Sequence, residues 1–243
     1  MKRREIIKGL TLLPFAGSAA ASPLNNLSAH PNGVQSHIND GFGIIDEEMV
    51  KKGESLLKSM GVEPFVNCKG TNTIMGGSIE RKEVRLAMES VSTLNVQMDE
   101  LAFGIGKRLS ELTGAEWGIV TAGCAAGIKM VTAGCLTGGD PEKLLRIPNL
   151  TGFTKSEVII PLPSHNIYDH AVRNAGVKVI TVESLDELKK NINSRTAMIY
   201  MTPSEGEFTI TKVSKIARPL NIPVFVDAAA HILTIPDVHL AQG

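Results

Sequence analysis

Aromatic residues make up only 4% of the 243-residue chain, which has one tryptophan and two tyrosines. A β sandwich built around an aromatic core is therefore disfavoured. Neither sign of charge is in excess: Lys plus Arg is 25, Asp plus Glu is 25, and the formal net charge is zero. Without a basic field, nucleic acid and anionic membrane surfaces are not expected as partners. The cysteines number three, Cys68, Cys124 and Cys135, and none forms a C-x-x-C pair. No disulfide framework and no metal site is expected, and Cys124 and Cys135 are read as small apolar residues packed in a core. No apolar run approaches the roughly 20 residues that span a bilayer. What the chain does have is 23 glycines and 43% hydrophobic residues, a balance suited to an α/β protein with many strand-to-helix turns.

The first residues read as a leader. Residues 1–21, MKRREIIKGLTLLPFAGSAAA, run from a basic start through a short apolar stretch to small residues, the order of a secretory signal. Arg3-Arg4-Glu5-Ile6-Ile7-Lys8 resembles a twin-arginine export motif, with an ordinary export signal or a basic amphipathic start as the other readings. Export would place the protein in the periplasm or outside the cell, free of the membrane once the signal is removed. Its removal takes four of the 25 basic and one of the 25 acidic residues and leaves a net charge of −3. Residues 22–41, rich in Ser, Asn, Pro and Gly, read as a linker.

Two further segments follow. Residues 42–114 carry helical periodicity at 44–60, 82–95 and 98–113. From 115 to 243 the pattern changes to short apolar runs alternating with helical stretches. Strands are expected at 118–121, 158–161, 178–182, 197–201 and 224–226, and helices at 128–136, 168–175, 185–192 and 211–220. Uncharged strands alternating with helices predict an α/β fold with a mostly parallel sheet covered by helices on both faces. In such sheets ligands sit beyond the C-terminal ends of the strands.

Four post-strand segments therefore carry candidate residues. Residues 121–127, TAGCAAG, place small residues between a strand and a helix, an arrangement whose backbone N–H groups hold a phosphate without side-chain charge. Glycines at helix starts also serve to relieve crowding, and the segment matches neither a P-loop nor G-x-G-x-x-G. Asp227 ends the apolar run Pro223-Val224-Phe225-Val226 and precedes three alanines. A carboxylate there is costly unless it meets a cation or a donor, and helix capping is the plain alternative. His165 follows the 158–161 strand, and the turn at 201–206 could lend a hydroxyl. Asp227 is expected at the end of a central strand, its carboxylate sharing a cleft with His165.

Four segments, FVNCKGTNTIMGGS at 65–78, TAGCAAG at 121–127, LPSHNIYDHAVRNAG at 162–176 and IPVFVDAAA at 222–230, together resemble the fold-type I pyridoxal-phosphate enzymes. The resemblance is to the branch of selenocysteine synthase and D-glucosaminate-6-phosphate ammonia-lyase, and it covers residues 61–243. It implies the large domain of that fold, incomplete at its C-terminus, with pyridoxal 5′-phosphate as cofactor. It places the cofactor phosphate on Gly123, Cys124 and Ala125, the pyridine nitrogen on Asp227, Ala229 under the ring and His165 over its other face. It also implies a lyase or transferase acting on an amino acid or amino sugar acid, and a homodimer or higher homo-oligomer. An aminotransferase, a cysteine desulfurase and a secreted non-catalytic binding remnant are the alternatives. The family's Schiff-base lysine lies beyond the strand-end aspartate, whereas the last lysine here is Lys215. No catalytic residue is therefore assigned. The chain is expected to be the amino-terminal piece of such an enzyme, inactive as it stands.

Overall fold

The computed structural model describes residues 47–232 and 234–243. The leader at 1–21 and the linker at 22–41 lie outside the described residues. The chain divides into two compact units, the described part of one ending at Val96 and the other comprising Gln97–Gly243.

The first unit contains α1 (Glu47–Ser59) and α2 (Lys82–Val91). Between them the 65–78 segment winds around Asn67, whose Nδ2 donates to the carbonyls of Gly70 at 2.8 Å and Gly77 at 3.0 Å. Its Oδ1 accepts from the Lys69 amide at 2.9 Å. One short polar side chain thus satisfies the backbone of a stretch that makes no ladder. The helix expected over 82–95 ends earlier, at Val91.

The second unit opens with α3 (Met98–Thr113). Gly106 is buried in it because Trp117 folds back there, and a Cβ would come within 2.4 Å of the indole ring. The strand expected at 118–121 does not form. Residues 114–121 run irregularly, with Ile119 60% and Val120 68% exposed. No described strand lies beside them to complete their backbone hydrogen bonds, without which a β ladder has no stability.

Beyond this stretch lie α4 (Cys124–Thr137), α5 (Pro141–Arg146), β1 (Glu157–Pro161), α6 (Asp169–Arg173), β2 (Lys178–Val182), α7 (Leu185–Asn191), β3 (Thr196–Met201), α8 (Ile210–Ala217) and β4 (Val224–Val226). Helix α5 was not expected from periodicity. It is six residues long and starts on a cap, with Asp140 accepting from the amides of Glu142 and Lys143 and Pro141 in the first turn.

The four strands form one parallel sheet in the order β2-β1-β3-β4. The central pair, β1 and β3, is buried along its whole length, as expected for a sheet covered on both faces. Alternation divides its side chains cleanly. Val158, Ile160, Met198 and Tyr200 join Ile128 and Leu136 of α4 and Val172 of α6 in one core. Ile159, Ile199 and Met201 join Leu188 of α7 and Val213 and Ala217 of α8 in the other. Each fully buried Val, Leu, Ile or Met among them contributes about 1.5–3 kcal/mol relative to exposure. The helices on both faces therefore follow from the strand sequences. One expectation is corrected: β4, which leads to Asp227, is an edge strand among the described residues, paired only with β3.

At the base of the sheet, buried Glu157 accepts from Asn193 Nδ2 at 2.9 Å and from Arg195 Nε at 2.8 Å. The Asn193 hydrogen bond first, and then Arg195 with its charge, hold the Glu157 carboxyl below its ordinary range against the opposing effect of burial.

Candidate active site

The C-terminal ends of the strands carry the polar residues. Helix α4 begins at Cys124 with Gly123 as its cap, in a conformation (φ 109°, ψ 168°) that only glycine adopts without strain. Thr121 Oγ1 donates to the Gly123 carbonyl at 2.8 Å and closes the turn. The cap supplies no side-chain acceptor. The amides that open a helix have no partner within it, so those of Cys124 and Ala125 are available to an acceptor from outside. The dipole of a helix of 14 residues favours an anion at the same place.

Asp227 is 8% exposed and accepts three hydrogen bonds. The Tyr200 hydroxyl donates to Oδ2 at 2.7 Å, the Ala229 amide donates to Oδ1 at 3.1 Å, and the Cys124 thiol donates to Oδ1 at 3.5 Å. The bond to Ala229 closes a turn, and no α-helix follows Asp227 among the described residues, so this carboxylate does not cap one. Through Cys124 the carboxylate and the opening of α4 are in direct contact.

Of the two cysteines expected in the core, Cys135 packs against it, half-buried, but Cys124 is exposed; Cys68 is exposed as well. The Cys124 sulfur faces the carboxylate. Desolvation of the thiol end and then the Asp227 charge raise its pKa above the ordinary value, so it stays protonated as a donor.

His165 lies just beyond β1. Its Nδ1 bonds Asp169, which also meets Arg173 at 3.5 Å, and its Nε2 shares a hydrogen bond with Thr181 at 2.9 Å. Both ring nitrogens are thus engaged near β2, and the ring orientation is fixed. Asn166 connects this group to Asp227: its backbone amide donates to Asp169 at 3.3 Å, and its Nδ2 donates to the Tyr200 hydroxyl at 3.3 Å. His165 and Asp227 therefore lie on one continuous network at the same end of the sheet, joined through Asn166 and Tyr200. In the 201–206 turn, Ser204 donates instead to the Phe208 carbonyl at 2.7 Å.

Nothing local in the sequence marks Tyr200 and Asn166 as site residues. Tyr200 lies within an apolar strand, and only the register that pairs it with Phe225, two residues before Asp227, reveals the contact. A cavity of about 900 Å³ runs along the free edge of β4, lined by Trp117, Ile119, Phe225 and Leu240 among others, and includes none of the expected site residues.

The fold has a counterpart among solved structures. The structure of D-glucosaminate-6-phosphate ammonia-lyase superposes with a TM-score of 0.71 at 27% identity, covering 77% of this chain and 54% of that one. The described α/β sheet has the large-domain fold of the fold-type I pyridoxal-phosphate enzymes. Among curated proteins, D-glucosaminate-6-phosphate ammonia lyase of Salmonella typhimurium is 27% identical over 191 residues, which span 72% of this chain and 51% of that protein. A 5′-C-glycyluridine monooxygenase-decarboxylase of a Streptomyces species is 26% identical over 186 residues, spanning 70% of this chain and 46% of that protein. The chain thus spans about half the length of the curated relatives it matches. No protein-family model matches it.

Proposed function

We propose that the 97–243 unit holds pyridoxal 5′-phosphate, and that the activity it serves is that of a lyase or transferase of the ammonia-lyase type. The substrate would be a small molecule bearing an amine, an amino acid or amino sugar acid, and the working protein a homodimer or higher homo-oligomer. The observation that carries this reading is the contact between the opening of α4 and Asp227 through Cys124. One end of the site suits an anion and the other a cationic donor. A phosphorylated pyridine ring offers both in one molecule, so the residues present fit the group.

In this arrangement the amides of Cys124 and Ala125, with the freedom of Gly123, hold the phosphate. Asp227 accepts from the protonated ring nitrogen and keeps its proton in place. Ala229 would lie under the ring and His165 over its other face, where Asp169 and Thr181 lock its imidazole. When bound, the cofactor supplies an electron sink for the electron pair released at the carbon bearing the substrate amine.

Titration of the chain with pyridoxal 5′-phosphate, followed by absorbance, tests the reading. Saturable uptake that weakens at least tenfold in both Ala125→Asp and Asp227→Ala is expected. Equal affinity in the unchanged chain and both variants would overturn it.

A further inference from the structure

The hydrogen bonds around Tyr200 run in one direction. Asn166 Oδ1 accepts from the Tyr168 amide at 2.7 Å, while Nδ2 faces the Ser164 carbonyl at 3.2 Å and the Tyr200 hydroxyl at 3.3 Å. A carbonyl only accepts and a backbone amide only donates, so these two groups fix the orientation of the side-chain amide. Asn166 therefore donates to Tyr200. A phenol has one proton, and with a donor already facing its oxygen that proton is directed to Asp227 Oδ2, 2.7 Å away. The ring is fully buried and stacked at 24° on Phe225, with centroids 5.8 Å apart, so the hydroxyl cannot swing elsewhere.

We propose that Tyr200 is a positioning residue for Asp227, with Asn166 behind it, and that this relay fixes the carboxylate as an oriented acceptor for a cationic ring N–H. Burial, and Asp227 itself, raise the phenol pKa well above the ordinary tyrosine value, with the Asn166 hydrogen bond opposing. Tyr200 accordingly keeps its proton across the working range and remains a donor. With Oδ2 held by Tyr200, Oδ1 is left to Ala229 and to the Cys124 thiol. Sulfur makes the weaker hydrogen bond, and it is the contact an incoming N–H would displace. The inference rests on the proposed cofactor reading and adds residues to it.

The test compares binding of pyridoxal 5′-phosphate with that of its 1-deaza analogue, which has carbon in place of the ring nitrogen. The unchanged chain should prefer the nitrogen compound. Tyr200→Phe should shrink that preference about tenfold, and Asn166→Ala should shrink it less. A variant that merely loosens the fold lowers both affinities together and leaves the ratio unchanged, which would overturn the proposal. A second measurement needs no ligand. The chain has two tyrosines, so in Tyr168→Phe labelled at the phenol carbon, Tyr200 gives the single carbon NMR signal. At pH 7 Asp227→Asn should move that signal, because the phenol proton loses its carboxylate acceptor, and no movement would show that the two residues are uncoupled. If that coupling is present but the unchanged chain binds neither compound, or binds both equally, the cofactor reading fails. Tyr200 then serves the fold alone, and the inference falls with that reading.

Discussion

The Cys124 thiol donates to Asp227 across 3.5 Å, joining the first residue of a helix to the end of a strand 103 residues further along the chain. The opening of α4, which no described strand precedes, and the end of β4 thus become the two ends of one candidate site.

That contact predicts how Cys124 reacts. Since thiolate is the nucleophile, the raised pKa should slow its alkylation at pH 8. Asp227→Asn removes the neighbouring charge and should speed modification of Cys124 several-fold, read by peptide mass mapping. Saturating pyridoxal 5′-phosphate should protect the same residue.

Gly123 offers a stability test. Nothing lies within 4 Å of a Cβ built there, so Gly123→Ala meets no steric clash. The backbone conformation is nevertheless one that alanine resists, and the variant should lose about 1–3 kcal/mol in chemical denaturation. Phosphate-dependent ligand affinity should fall with it.

Glu157 governs part of the acid response. Its folded pKa is depressed, so its contribution is fully present above the unfolded value and is lost as pH falls through the folded one. Denaturation midpoints should therefore decline from about pH 4.5 downward, near the ordinary glutamate value. Glu157→Gln should cost about 1–3 kcal/mol at pH 7, the range for disturbing a buried, charge-assisted hydrogen bond. It should also flatten the acid limb.

The legible parts of the fold were those in which local pattern and tertiary environment agree. Strands 178–182 and 224–226 and helix 98–113 form where expected. Residues 118–121 have the composition of a strand but no neighbour to pair with, a condition that composition does not encode. Helix Pro141–Arg146 is marked in the sequence only by its cap, Asp140-Pro141, because periodicity cannot register in so few residues. Among the site residues, the post-strand rule directs attention to Gly123, His165 and Asp227. Tyr200 stands 27 residues from the carboxylate it serves. It is an interior strand residue by every local measure, and the register of β3 against β4 is what makes it polar in function.

The most direct test is a crystal structure of the chain grown with pyridoxal 5′-phosphate. The account predicts phosphate oxygens about 2.7–3.2 Å from the backbone nitrogens of Cys124 and Ala125. It also predicts the ring nitrogen at the same range from Asp227, with the Cys124 thiol displaced and the Tyr200 hydroxyl still on Oδ2. A phosphate bound elsewhere, or a ring whose nitrogen makes no contact with Asp227, would contradict it.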